Sequence, residues 1–198
     1  MIEGDREALP REGFRTQCAR HNLARVDGSR RRLQVPNPKS FVHLAEEFEA
    51  QWTTIRAHLG QHYFSISRPV VTYRLERAVR PRFRLSELER MRPKDWRGQK
   101  FVLRTDVSQF YPSIYTHSIP WALEGKKKAK QNIGKTKSDR LDKALRDASD
   151  GQTMGVPIGP DTSFLAAEIV LTAVDKALAS KIELRGHRYF DDYELAFT

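Results

Sequence analysis

The chain has 198 residues, with 35 lysines and arginines against 25 aspartates and glutamates, and a single cysteine, Cys18. One thiol excludes a disulfide framework, while 39% hydrophobic and 10% aromatic residues are too apolar for a disordered chain, so a true core is expected. The net charge of +10 favours polyanionic partners and is localised: the first 100 residues have 21 basic against 12 acidic groups, the remainder 14 against 13.

Residues 1–34 read as a basic arm of weak helical content ending in Arg30-Arg31-Arg32. The opening Met1-Ile-Glu-Gly-Asp-Arg-Glu lacks the apolar stretch of a signal peptide, and the longest apolar run, 164–174, is interrupted by Glu168 and Thr172. The expectation is a cytoplasmic protein with no membrane partner. Val35-Pro-Asn-Pro-Lys39 predicts a turn, because the prolines fix φ and hold the preceding residues extended. Over 41–56, Leu44, Ala45, Phe48, Trp52 and Ile55 recur at helical spacing.

The densest basic cluster, Arg68, Arg74, Arg77, Arg80, Arg82 and Arg84, is opposed within its window only by Glu76 and suits bidentate phosphate contacts; a solvated basic face is the alternative reading. A short amphipathic turn is expected over 85–91, stopped by Pro93. Phe101-Val-Leu-Arg-Thr-Asp106-Val is a short apolar strand ending in a carboxylate, followed by a helical piece over 115–123. Residues 124–150, with Lys126, Lys127, Lys128, Lys130, Lys135 and Lys137 and an amphipathic turn at 141–148, read as a basic insertion with a short helix. Asp161-Thr162-Ser163 supplies cap chemistry for a long helix to about Lys181. Its apolar stripe is Phe164, Ala167, Leu171, Val174 and Leu178, leaving a thin polar seam of Glu168, Thr172 and Asp175 in a largely buried helix. The segment 188–197 reads as strand, tight carboxylate turn, strand, and no internal repeat is present.

Asp106 and the pair Asp191-Asp192 therefore punctuate short apolar strands. An Asp-Asp pair alone is turn chemistry, but three such carboxylates in a basic chain suit hard divalent cations, two of which about 3.5–4 Å apart can clamp the oxygens of a phosphoryl transfer. Competing motifs fail. Gly134-Lys135-Thr136 imitates the end of a phosphate-binding loop, but Ala129 stands where glycine is required; His58 and His62 lack the glutamate of a zinc protease.

The order of the motifs resembles reverse transcriptases. Asp106-Val-Ser-Gln-Phe-Tyr111 is similar to their motif A, Gly155-Val-Pro-Ile-Gly-Pro160 to motif B, and Tyr189-Phe-Asp191-Asp192 to the Tyr-x-Asp-Asp box of motif C. The wording is most similar to bacterial enzymes of the abortive-infection and phage-defence kind, through residues 113–123, Gly151-Gln-Thr-Met-Gly155 and Pro160-Asp-Thr-Ser163, with Leu33-Gln-Val-Pro-Asn-Pro38 and Ser65-Ile-Ser-Arg-Pro69 upstream. The resemblance covers roughly residues 30–198.

It implies an α+β right-hand polymerase: basic arm 1–34, fingers 35–100, and partial palm 101–198 with an antiparallel sheet, the thumb absent because the chain stops six residues after Asp192. It further implies an RNA-directed DNA polymerase in which Asp106, Asp191 and Asp192 hold two Mg²⁺ ions, or Mn²⁺ in their place. Val107, Ser108 and Phe110 would border the triphosphate, and Tyr111 would lie under the sugar and reject a 2′-hydroxyl. Gly155, Pro157, Ile158 and Gly159 would meet the incoming base and template. Arg68, Arg74 and Arg77 are alternatives for a fingers residue on the triphosphate. The implied partners are RNA template, primer and dNTPs, with an accessory protein or non-coding RNA also in keeping. Ile158 departs from the glutamine common in retroviral and intron relatives, which keeps open a template-independent, protein-primed transferase. A catalytically silent RNA-binding fragment is the third reading.

Overall fold

The computed structural model describes residues 14–61, 63–73, 77–181, 183 and 185–198. In chain order the strands are β1 (Ala19–Ala24), β2 (Arg30–Val35), β3 (Pro69–Val71), β4 (Val79–Pro81), β5 (Phe101–Asp106), β6 (Arg185–Tyr189) and β7 (Asp192–Phe197). The helices are α1 (Pro38–Ala50), α2 (Trp52–Leu59), α3 (Leu88–Trp96), α4 (Phe110–Ser113), α5 (Ser118–Glu124), α6 (Lys126–Gln131), α7 (Lys137–Asp147) and α8 (Asp161–Ala179). This is a mixed α+β fold with small antiparallel sheets, and it divides into two compact units. Among the described residues no helix is long and apolar enough to cross a membrane.

The first unit takes the described residues up to Trp52 together with Tyr111–Ser163. Asn37 caps α1 by accepting from the Lys39 amide at 3.0 Å, with Pro38 at the first helical position, where its missing N–H costs nothing. Leu44 and Phe48 of α1 are buried, as are Leu141, Ala144 and Leu145 of α7, against which α1 packs. Thr136 and Asp139 close a reciprocal capping box on α7. Within the expected basic arm, residues 1–13 lie outside the described residues, and the rest corrects the helical expectation. Residues 19–35 form an antiparallel hairpin, β1 on β2, whose turn is closed by Asp27 accepting from both the backbone and the hydroxyl of Ser29. Asp27-Gly28 is a turn signal between two strands rich in basic and polar residues, β1 exposed throughout and β2 half-buried only at Leu33 and Gln34.

The second unit takes Thr53–Phe110 and Phe164–Thr198. Its three-stranded sheet has the order β5-β7-β6, all antiparallel. Buried residues of α8 and Ile55 and Leu59 of α2 form its core, and the His58 ring bonds the Ile169 carbonyl at 2.8 Å. On the sheet's other side lies α3, which runs through Pro93 to Trp96 rather than stopping before the proline. The last strand, β7, is central and pairs on both edges, while every residue of β5 is exposed, including Phe101, Val102 and Leu103.

The long helix inverts one expectation. Val174 is 42% exposed and Ala177 is exposed too, whereas Glu168, Thr172 and Asp175 are 1%, 2% and 0% exposed. The polar seam faces inward, where a buried cation meets it.

Gly186 in β6 has φ +134, and a Cβ there would run into the Glu194 carbonyl of β7. Replacing it forces β6 and β7 apart at the Gly186–Leu195 pair, three register positions from the Tyr189–Asp192 end. Gly186→Ala is expected to lower the unfolding free energy by about 3 kcal/mol, read by urea denaturation.

Candidate active site

Asp106 ends β5 and Asp192 begins β7, and the two are register partners. The Val107 amide donates to the Asp191 carbonyl at 3.2 Å, one position beyond them, which makes Asp106 and Asp192 a non-hydrogen-bonded pair. That is the pairing in which facing side chains come closest, with Cα atoms about 4.5 Å apart. Two carboxylates are thus set side by side on one sheet face, an arrangement that opposes pairing. Asp191 sits beside them in the two-residue connection from β6 to β7.

Nothing in the described protein neutralises them. Among the described residues no lysine or arginine comes within ion-pair distance of Asp106, Asp191 or Asp192, despite the +10 net charge. Partial burial, then the charges of Asp191, Asp106 and Glu194, push the Asp192 carboxyl above its ordinary value. Glu194, on the same face two residues further along β7, has the opposite treatment. Arg92 grips it with two bonds of 2.8 and 2.7 Å and Arg104 approaches to 3.5 Å, holding its carboxyl low. The sheet therefore compensates one carboxylate on this face and leaves the pair at its end bare.

The connection carrying Asp191 is under strain. Phe190 has φ +54, a region that a bulky side chain occupies only when its surroundings impose it. Its amide donates to Ser67 Oγ at 2.8 Å, its carbonyl accepts from Arg188 Nη1 at 2.7 Å, and its ring packs 5.0 Å from Phe164. Arg188 lies one residue before Tyr189 and is completely buried on the face opposite the aspartates.

All five guanidinium donors of Arg188 are used. Nη1 also reaches Glu168 at 2.8 Å, Nη2 bonds Glu168 and Asp175 at 3.2 and 2.8 Å, and Nε lies 3.1 Å from both Asp175 oxygens. Ser65 and Ser67 donate to Glu168 at 2.9 and 3.0 Å, and the Tyr193 hydroxyl donates to Asp175 at 2.8 Å. Burial alone would lower the Arg188 pKa, but Glu168 and Asp175 overcome it and drive it up. Burial also raises Asp175, against the pull of Arg188, and raises Tyr193, with the Asp175 charge adding to it.

The remaining residues singled out from the sequence fall as follows. Val107, Ser108 and Phe110 follow β5 in a tight turn in which Gln109 has φ +49, and Phe110 is buried. Arg68 comes directly after Ser67, whose hydroxyl accepts from the Phe190 amide; Arg77 lies in the β3–β4 connection. Arg74 lies outside the described residues, as does His62.

Tyr111, Gly155, Pro157, Ile158 and Gly159 belong to the first unit, where they come together. Val156 donates to the Tyr111 carbonyl at 3.0 Å, and Gly155 donates to Ile114 at 2.8 Å. Gly155, at φ +89, leaves only 3.1 Å between a notional Cβ and the Pro112 carbonyl, so this approach needs glycine. Pro157 is buried, while the Ile158 carbonyl accepts from Gln34 at 3.1 Å and ties the loop to β2.

The donor set fits a hard divalent cation: carboxylate oxygens only, with their negative charge unanswered by protein. Among the described residues no group of three or more His, Cys, Asp or Glu side chains is placed to hold a metal ion. Mg²⁺ does not require such a group, because it is commonly held by one or two carboxylates with substrate phosphates completing the shell. Comparison with protein-family models and with curated proteins finds no match for the chain.

Two outcomes follow. A raised folded-state pKa means that stability falls as pH climbs from the ordinary aspartate value of 3.8 through the raised one, so ionised Asp192 is a cost at neutral pH. Asp192→Asn should raise the melting temperature in EDTA at pH 7 and low salt by about 1–2 °C, modest because water screens the pair. Arg188→Met strands Glu168 and Asp175 in the core and should cost about 3–5 kcal/mol. Adding Glu168→Gln and Asp175→Asn to it should return part of that loss in the same urea titration.

Proposed function

We propose that this chain carries the nucleotidyl-transfer site of a reverse transcriptase, an RNA-directed DNA polymerase of the bacterial defence kind, with right-hand fingers and palm. The observation that carries the reading is the uncompensated cross-strand pair Asp106 and Asp192, with Asp191 beside it in a strained connection pinned from both sides. A protein with this surplus of cations could have neutralised the pair cheaply. Leaving it bare keeps its oxygens for a ligand that brings positive charge.

Asp106, Asp191 and Asp192 would hold the divalent ions. When bound, the ions supply charge that makes a primer 3′-hydroxyl more acidic and offsets charge on the departing pyrophosphate. The chain's own part is placement: the β5–β7 register sets Asp106 against Asp192, and Arg188 with Ser67 fixes the Asp191 backbone. Backbone at Val107, Ser108 and Phe110 would border the triphosphate, with Arg68 or Arg77 for its outer phosphates. Tyr111 would exclude ribonucleotides by collision of its ring with a 2′-hydroxyl. The glycine-bearing loop Gly155–Pro160 would lie against base and template, with basic residues of the first half contacting RNA. Ile158 presents an apolar side chain and gives its carbonyl to Gln34, so this loop offers the template less polar contact than a glutamine would.

The test is incorporation of labelled dNTPs with Mg²⁺ on an RNA template bearing a DNA primer, with a no-template control. Template-matched product is expected, reduced at least about 10³-fold by Asp106→Ala and by Asp191→Ala. Tyr111→Ala should retain dNTP use and admit rNTPs. Product indifferent to the template would replace this reading with untemplated transfer, and incorporation unaffected by either aspartate substitution would refute both.

A further inference from the structure

Between residues 126 and 146 nine basic side chains meet two acidic ones, in a half of the chain whose total charge is only +1. This is the basic insertion, and the carboxylate site makes no use of it. Within the first unit, α5, α6 and α7 enclose a cavity of about 410 Å³.

One part of its wall is aromatic. Tyr115, 37% exposed, stands at 86° to His117 with ring centroids 4.8 Å apart, and at 60° to Trp121 at 5.6 Å. Cations are held against these rings: the ammonium groups of Lys126 and Lys130 lie 4.8 and 5.8 Å from the centre of Trp121. Neither has a carboxylate within ion-pair distance among the described residues. Arg140 and Lys143 of α7 complete the basic wall. Both are about half-exposed and already face a carboxylate, Arg140 at 3.7 Å from Glu47 and Lys143 at 2.9 Å from Asp147, so a phosphate would share or displace those partners.

The cavity also holds unmet polar demand. Asp142 is buried and bonds the His117 ring through Oδ2 at 2.8 Å, yet its Oδ1 has no hydrogen-bond partner. Arg146 Nε, 3.3 Å from Asp142, is buried without an aligned acceptor. Flat π-surface, phosphate-type cations and an unsatisfied polar edge together describe what a nucleotide presents: a ring face, phosphates, and exocyclic donors and acceptors.

We propose that this cavity binds single-stranded nucleic acid, with a base against Tyr115 beside Trp121 and flanking phosphates on Lys130, Arg140 and Lys143. A polymer fits better than a free nucleotide, because the surplus continues past the cavity through Lys127, Lys128, Lys135 and Lys137 and would serve a run of phosphates. A single strand fits better than a duplex, in which paired bases keep their faces stacked. The site consists wholly of first-unit residues and does not depend on the carboxylates.

The test is fluorescence anisotropy of a labelled 12-residue oligocytidylate with the full chain in EDTA, where metal-dependent contacts are absent. Tyr115→Ala should weaken binding about 5- to 100-fold, the range for loss of one base stack. Lys130→Glu with Lys143→Glu should weaken it further and lower the slope of log affinity against log salt by about 1.4, two single-strand phosphate contacts. Photocrosslinking with 5-iodocytidine should label a peptide containing Tyr115 or Trp121. Asp191→Asn should bind the oligomer as the native chain does, so failure of this site is legible separately from failure of the polymerase reading. Unchanged affinity and salt slope in both cavity variants, with native circular dichroism, would overturn the proposal. So would adducts confined to other peptides, or displacement by cytidine monophosphate at equal nucleotide concentration.

Discussion

One guanidinium organises the second unit. Arg188 is fully buried between two carboxylates about two turns apart on α8, and each of its five N–H groups has an acceptor. A lysine has three donors and no planar fork, so it could not serve Glu168, Asp175 and the Phe190 carbonyl together. Through that last bond, and through Ser67 on the opposing amide, the buried network determines the path of the chain at Asp191. The helix, the segment before β3 and the β6–β7 connection are thereby tied to one charge. The polar seam of α8 is inside the protein for this reason, and its outward-facing Val174 is a consequence.

The same unit breaks two local rules at one end of its sheet. Like charges stand directly opposite in a close pair, and a phenylalanine adopts a left-handed backbone. The charge pair could be removed by a single substitution at the sheet's exposed edge, whereas the Phe190 ring is held against the core at Phe164. Their coincidence at the uncompensated pair of Asp106 and Asp192, with Asp191 next in the chain, is what separates this sheet end from an ordinary hairpin turn. Glu194 makes the contrast internal: a carboxylate on the same face, with Arg92 in a two-bond grip, shows how this sheet treats a charge that has only a structural role.

Much of this was legible in the residues. Alternation and turn chemistry located the strand ending at Asp106 and the strand–turn–strand around Asp191, and the spacing of Leu44, Phe48 and Ile55 located α1 and α2, though not the break at Gln51. The hairpin of residues 19–35 was hidden because its apolar face is interrupted: Ala19, Leu23, Leu33 and Val35 share that face with His21 and Arg31, and Leu23 and Val35 stay exposed, so alternation was weak beside the Asp27-Gly28 turn signal. Glu168 and Asp175 were visible seven residues apart, but their direction depended on a cation 13 residues beyond the nearer one, which no helical window contains. Ser65 and Ser67 belong to the same class: short polar residues whose roles exist only once Phe190 and Glu168 are beside them. Pro93 misled because it lies inside α3, where it removes one backbone donor without ending the helix.

The central claim is that Arg188 and the β5–β7 register hold Asp106, Asp191 and Asp192 ready for a divalent cation. Electron paramagnetic resonance of free Mn²⁺, titrated with the full chain in the presence of a dNTP, measures this directly. The account predicts bound Mn²⁺ that Asp106→Asn and Asp191→Asn each abolish while circular dichroism stays native. Mn²⁺ binding of equal strength in the native chain and both variants would contradict it.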